Sequence, residues 1–339
     1  MRRLVILVLA GLVLLVLGAC AKRSTQYQQD DVLELIRTVP IVGDPLDISI
    51  AGDDIYVAQD QGGFSIINSA SGNVRWFTEV KEATGGFKPL YRIRKVSVVS
   101  QYDRLFITEI DGVDTIHIID LAQADTLKII DGITGATQDM SDMRFTALPT
   151  PIGNNKIEMG FTAGRNFRQG LYDNNLWMGF AIDNMSTPAS ASGFDMNDQY
   201  IYIAAQQLGL MIYNKANQQL IGQLAIPGEA QKVKVVGNYA YIAGRQGGFS
   251  IVDISNPAVP VLVSNWDTTG YATTVDVSGN LAVISSNSGG IYLFDITSPT
   301  SPVLKQRLTD CGYTNNAKFH GDQIVVAARD QGVLIYKIK

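Results

Sequence analysis

The side chains able to do chemistry are few and far apart. The 339-residue chain has two cysteines, Cys20 and Cys311, and two histidines, His117 and His320. Two distant histidines make neither a histidine metal cluster nor a His-based nucleophilic triad. Two cysteines give neither a disulfide framework nor a four-thiolate zinc site. Cys311 has no adjacent Lys, Arg or His to lower its thiol pKa, so it does not read as a nucleophile. His117, inside DTIHIID, reads as a packed strand residue, and His320, before Gly321-Asp322, as a solvated turn residue. Asp120, Asp173, Asp253 and Asp295, with Asn68 and Asn214, recur at one position of a repeated phrase. There the side chain can accept a bond from its own backbone two residues on. Gly63, Gly209, Gly248, Gly290 and Gly332 recur at a second position, where a turn needs positive φ. No helix follows them, so they are not a phosphate loop. No cofactor and no metal site is expected from these residues.

The elements that position them repeat along the chain. GGFSIIN ends at Asn68, DTIHIID at Asp120, RQGLYD at Asp173, LGLMIYN at Asn214, GGFSIVD at Asp253, GGIYLFD at Asp295 and QGVLIYK at Lys337. The end points are 52, 53, 41, 39, 42 and 42 residues apart, and a period near 40–45 with several short strands is that of a propeller blade. Within 272–310 the strands are TTVDV, LAVISS, IYLFDI and VLKQRL, separated by Ser278-Gly279-Asn280, Ser288-Gly289-Gly290 and an Asp- and Pro-bearing loop. Two of the four are apolar on both faces, as strands inside a stack of sheets must be. The spacing therefore predicts an all-β, seven-bladed propeller with four antiparallel strands per blade. The last unit stops at Lys339 after its third strand, while VLELIRTV (Val32–Val39) has no blade of its own. Pairing the two would close the ring and leave no open sheet edge.

One polar set does not follow from the turns. Ser49, Ser97, Asp195, Lys234, Asp276 and Lys318 hold equivalent places in the innermost strands, between apolar neighbours such as Ile48 and Ile50 or Val275 and Val277. Alternate residues face opposite ways in a strand, so this set is expected to line the central channel. It reads either as a charge-balanced wall holding water or as a binding site.

The first residues carry an address. Arg2 and Arg3 precede an apolar run from Leu4 to Leu17, too short for a membrane span and suited to a signal peptide. Leu17-Gly18-Ala19-Cys20 resembles the bacterial lipobox. That resemblance implies cleavage after residue 19 and acylation of Cys20, with Ala21 resembling lipoproteins of the outer membrane. It leaves residues 20–31 as a polar tether and 32–339 as one propeller. Several acyl chains on one cysteine anchor a protein that a single chain would not hold.

FSIVDISNPAVPVLV (249–263) and IYLFDITSPTSPVLK (291–305) resemble the LVIVD-repeat β-propellers of secreted bacterial and archaeal proteins. The likeness is good over 231–339, fair over 46–78 and 192–225, and poor over 79–190. It implies a propeller outside the cytoplasm and no particular reaction.

With 46% hydrophobic and 17% charged residues, the chain is no disordered polymer. A formal charge of −5 offers no footprint for nucleic acid. The function expected is a membrane-anchored, extracytoplasmic binding or scaffolding module for an envelope protein or glycan. The alternatives are a lactonase-like hydrolase using Asp195 and Asp276 with Asp60 or Asp111, and a purely structural envelope lipoprotein. Units ending at Asp120 and Asp173 are the longest, and extra length in repeats maps to one face. The links 79–95 and 131–141 and the turn at 165–168 are expected as loops on that face. They would gather Gln61, Phe87, Tyr91, Arg92, Arg94, Arg165, Phe167 and Arg168 into a basic, aromatic patch with Lys88 and Lys95.

Overall fold

A Gly at the second-to-third strand turn does what no other residue could do there. Gly63, Gly209, Gly248, Gly290 and Gly332 all have φ between +74° and +87°. A Cβ on any of them would lie 1.9–2.3 Å from a fourth-strand carbonyl: Phe77, Leu224, Trp266, Leu308 or Val39. The Asp and Asn residues at the end of the third strand close the next turn. Asp120, Asp253, Asp295 and Asn214 accept the backbone N–H two residues on, at 2.8–3.0 Å, while Asn68 reaches Ser71. Asp173 instead pairs with Lys156 at 3.2 Å.

The computed structural model describes residues 31–110, 115–123, 126–134, 140–149 and 155–339. Cys20, the leader, the tether up to residue 30 and Asp111 lie outside the described residues. Blade 1 runs outward through Asp47–Ala51, Asp54–Ala58, Phe64–Asn68 and Val74–Phe77. The innermost strands of blades 2 to 7 are Ile93–Val99, Met140–Ala147, Gly193–Met196, Lys232–Val236, Thr274–Ser278 and Thr314–His320. The third strands end at Asn68, Asp120, Asp173, Asn214, Asp253 and Asp295, and the last reaches Ile338. The result is a ring of seven sheets, all β apart from one 3-10 turn among the described residues.

Blade 7 takes its outermost strand from the other end of the chain. Leu33–Val39 pairs antiparallel with Gly332–Ile338, from Leu33 opposite Ile338 to Val39 opposite Val333. Gln306 Oε1 of blade 6 accepts the Val32 and Leu33 N–H groups at 2.9 and 2.7 Å. The Arg37 guanidinium reaches back to the Ala70 and Ser71 carbonyls of blade 1.

A buried apolar cluster fills each seam between neighbouring blades. Tyr56, Phe64 and Ile66 meet Leu105, Ile107 and Ile119 between blades 1 and 2. Ile48, Ile55 and Val57 meet Val325, Ala327 and Val333 between blades 1 and 7. The other five seams are filled in the same manner. Burying one such Leu, Ile, Val or Phe is worth about 1.5–3 kcal/mol, so side-by-side packing of blades is the main stabilising term. The second and third strands are buried on both faces because each sheet is sandwiched.

Blades 2 and 3 depart from the expected loops. The 79–95 link contains a hairpin, Glu79–Lys81 with Phe87–Pro89, which extends blade 2 to six strands. Arg94 and Lys95 already belong to the innermost strand Ile93–Val99. The described residues of the 131–141 link are strand as well, in Lys128–Thr134 and from Met140 onward. Arg168 sits within the strand Asn166–Asp173, and the turn before it is Gly164-Arg165.

Candidate functional site

Two surfaces collect polar side chains: the central channel, and the face carrying the second-to-third strand turns.

The channel is a cavity of about 350 Å³ lined by Ser49, Ser97, Asp195, Lys234, Asp276 and Lys318, with Arg144 as the blade 3 member of that ring. A second ring lies two residues earlier in every innermost strand except that of blade 4, where Gly193 stands: Asp47, Lys95, Asp142, Lys232, Thr274 and Asn316. The alternation Asp47-Ile48-Ser49, Lys95-Val96-Ser97 or Asp142-Met143-Arg144 is visible in the sequence, and extending the frame two residues back would have found it. Arg144 was missed because the repeat is degenerate in blade 3.

Innermost strands of neighbouring blades do not form a continuous sheet, so each leaves backbone N–H groups facing its neighbour. The ring side chains fill that need. Asp47 accepts Val96 N–H at 3.2 Å, and Ser49 accepts Val98 N–H at 3.0 Å. Asp142 accepts Phe194 N–H at 3.1 Å, Asp195 accepts Val235 N–H at 2.8 Å, and Asp276 accepts Phe319 N–H at 3.0 Å. Asp47 also takes Asn316 Nδ2 at 2.6 Å. Asp142 pairs with Lys232 and Asp195 with Arg144. These carboxylates are stitches between blades. Burial pushes the Lys234 and Lys318 ammoniums below their ordinary range, against the opposing pull of Asp276 on both and of Asp47 on Lys318.

On the outer face, four of the turns meet the link entering the next blade. Asp60 and Ile93 exchange two backbone bonds of 2.9 Å, and Gln206 with Ala230 and Arg245 with Ala272 do the same at 2.9–3.2 Å. Asp60, Gln206, Arg245 and Asn287 hold this bridge position with φ of +44° to +52°. Next to the bridges stand arginine and tyrosine. Arg92 Nε binds Asp60 at 3.0 Å beside Tyr91, which is 58% exposed. Arg245 lies over Tyr271 at 5.2 Å, and Arg329 over Tyr313 at 4.2 Å. Arg245, Tyr271, Tyr313 and Arg329 were not singled out from sequence, although a tyrosine stands one or two residues before three of the four bridging link residues, Ile93, Ala272 and Thr314.

The expected patch is only partly gathered. Gln61, Tyr91 and Arg92 line one surface depression with Leu90 and Ile110. Phe87 is exposed on the added hairpin, and Arg94 is exposed in the innermost strand of blade 2. Arg165 belongs to the seam between blades 3 and 4, bonded to the Thr187 and Pro188 carbonyls. Arg168 stacks over Phe180 at 5.4 Å. Phe167 is a correction: it is 0% exposed and packs edge-on against Phe194 at 5.1 Å. In strand Asn166–Asp173 it points into the seam, so it belongs to the core.

Glu109 holds the patch in place and was not foreseen. It is fully buried, and its carboxylate accepts Tyr91 N–H at 2.8 Å, Lys88 Nζ at 2.8 Å and His117 Nε2 at 2.7 Å. Burial alone would raise its pKa, but bonds from His117, Lys88 and Tyr91 outweigh it and hold the carboxyl down at about 2. His117 is thus a packed strand residue with an ionic partner, and Lys88 turns inward to the same carboxylate. His320 binds the Gly52 carbonyl at 2.8 Å, joining blade 7 to blade 1. Cys311 is buried, and desolvation pushes its thiol up to about 11, which keeps it unreactive.

This architecture defines the chain as a seven-bladed β-propeller. The family model described as the LVIVD repeat matches residues 42–68, 227–268 and 269–310, so the chain carries LVIVD repeats. No curated protein matches it. Among solved structures it is similar to the computationally designed Ika8 protein, in a crystal packing in P63. That likeness has a TM-score of 0.64 and 10% identity, over 90% of this chain and 100% of that one. At that identity it speaks for the fold alone.

Proposed function

We propose that this protein is a membrane-tethered, extracytoplasmic binding or scaffolding module that presents its turn-bearing face to an envelope protein or glycan. The observation that carries the reading is the set of arginine and tyrosine side chains beside the interblade bridges: Tyr91 with Arg92, Arg245 with Tyr271, and Arg329 with Tyr313. Arginine and tyrosine are the side chains that interface hot spots favour, and they are held on rigid turns that cost little to order on binding. Three of the channel aspartates are committed to backbone N–H groups through one oxygen and to another donor through the other, which argues against the hydrolase alternative. The lipobox-like run ending in Cys20 supports a lipid tether.

Two experiments test this. Arg92→Ala with Arg94→Ala should weaken partner capture by crosslinking in intact cells by roughly 30-fold, as for a 2 kcal/mol hot spot. The melting temperature should hold, because a partly exposed pair at the surface such as Arg92–Asp60 is worth about 1 kcal/mol or less. Asn256→Ala with Ser298→Ala, on turns between third and fourth strands, should leave capture unchanged; equal behaviour of both pairs would remove the face from consideration. Cys20→Ala should abolish membrane partition and leave an uncleaved or soluble precursor. A mature-size band still fractionating with membranes would refute the tether.

A further inference from the structure

The channel holds more cation than its carboxylates use. Among the described residues its charged side chains are Asp47, Asp142, Asp195 and Asp276 against Lys95, Arg144, Lys232, Lys234 and Lys318. Arg144 and Lys232 are paired. The ammoniums of Lys95, Lys234 and Lys318 make no hydrogen bond and no ion pair among the described residues, although all three line the cavity. A partly desolvated, unpaired ammonium is less favourable than a paired one. Ring order places Lys234 and Lys318 in blades 5 and 7, on either side of Asp276 in blade 6.

Asp276 is also unusual. Both oxygens of Asp47, Asp142 and Asp195 take a donor from the protein. Asp276 Oδ2 takes Phe319 N–H, while Oδ1 takes none among the described residues. The wall therefore offers three spare cationic donors, two of which flank the one spare anionic acceptor, while Lys95 stands apart in blade 2. An oxyanion without a proton would satisfy the two flanking lysines and be repelled by Asp276. One that carries a single hydroxyl satisfies both of them and Asp276.

We infer that the channel binds a small tetrahedral oxyanion bearing one hydroxyl, monohydrogen phosphate being the type, with its charged oxygens on Lys234 and Lys318 and its P–OH donating to Asp276 Oδ1. Ser49, Ser97 and Asn315 line the same cavity as further polar groups, and its 350 Å³ accommodates the anion with several waters. Charge-assisted bonds are the strong ones. This site is separate from the turn-bearing face, so its failure and that of the proposed partner surface are read in different assays.

Titration calorimetry of the full chain at neutral pH with sodium phosphate and sodium sulfate tests it. Phosphate should bind about tenfold or more tightly than sulfate, the discrimination expected when a charged acceptor meets a donor in one anion and repels the other. Asp276→Asn should bring the two anions within about threefold, since the amide neither repels sulfate nor requires the hydroxyl. Lys234→Met and Lys318→Met should each weaken phosphate by about tenfold or more. If either lysine variant fails to fold, acylation of the wild-type chain replaces it: phosphate should slow labelling of Lys234 and Lys318 severalfold and leave exposed Lys337 unchanged. Absence of phosphate binding, equal affinity for sulfate in the wild type, or unprotected lysines would each overturn the inference.

Discussion

Blade 5 and blade 3 join their second and third strands differently. In blade 5, Gly248 adopts φ +78° with the Trp266 carbonyl where a Cβ would stand, 2.2 Å away. Its third strand ends in Asp253, which closes the next turn on Ser255 N–H at 2.8 Å. In blade 3 the turn is Gly164-Arg165, and a Cβ on Gly164 would meet nothing within 4 Å. Its third strand ends in Asp173, tied to Lys156, and its fourth strand, Leu176–Ser186, breaks register at three points. The regular blade is locked by backbone geometry that tolerates one residue type. The irregular blade is held by packing, with Phe106 stacked on Phe145 at 3.7 Å and Trp177 edge-on to Phe180 at 5.0 Å.

The largest effect should come from breaking closure, which both kinds of blade depend on. Deleting residues 21–40 removes Leu33–Val39, exposes the Gly332–Ile338 edge and uncovers Val333 and Leu334. The loss is several kcal/mol at about 25 cal/mol per Å², with aggregation through the open edge. An unchanged melting temperature would contradict the shared blade.

Next comes the irregular side. Glu109→Gln should cost about 3–5 kcal/mol, the range for breaking a buried ion pair, and should loosen the 79–89 hairpin in hydrogen exchange. The group also fixes a pH window. Its folded pKa of about 2 lies below the ordinary 4.5, so its contribution is complete above 4.5 and is lost as pH falls toward 2. Urea unfolding at several pH values should show the wild type losing its advantage over the Gln variant across that window, and a constant difference would show that the carboxylate is not the source.

The smallest effect sharpens the contrast itself. Gly248→Ala should destabilise by about 3 kcal/mol or more, combining left-handed strain with a forced clash. Gly164→Ala carries only the left-handed strain, about 1–2 kcal/mol. Equal melting shifts for the two would mean that the fourth-strand carbonyl yields easily and does not lock the blade.

Much of this was legible one strand at a time. The third-strand phrases end where the strands end, from Asn68 to Asp295, because the Asn or Asp that closes the turn is chosen by local backbone geometry. Val32–Val39 could be assigned to the last blade because an unpaired strand at each end of a ring has one place to go. Phe167 was misplaced for a related reason: RQGLYD lacks the double glycine that marks the turn elsewhere, so its frame was set too far along and a core residue was read as loop. Glu109 gave no local sign, since its partners Lys88, Tyr91 and His117 come from three different segments.

Strand periodicity, turn chemistry and repeat length were therefore settled by the sequence alone, because each depends on residues within a few positions of one another. Which side chains remain available for function was settled by the tertiary structure. Asp195 and Asp276 hold the same place in the repeat, but Asp195 meets Arg144 of the preceding blade while Asp276 keeps an oxygen open toward the channel. That difference is made by residues some fifty positions away along the chain and one blade away in space. A period-two pattern sets which face a side chain joins; the neighbouring blade decides what it finds there.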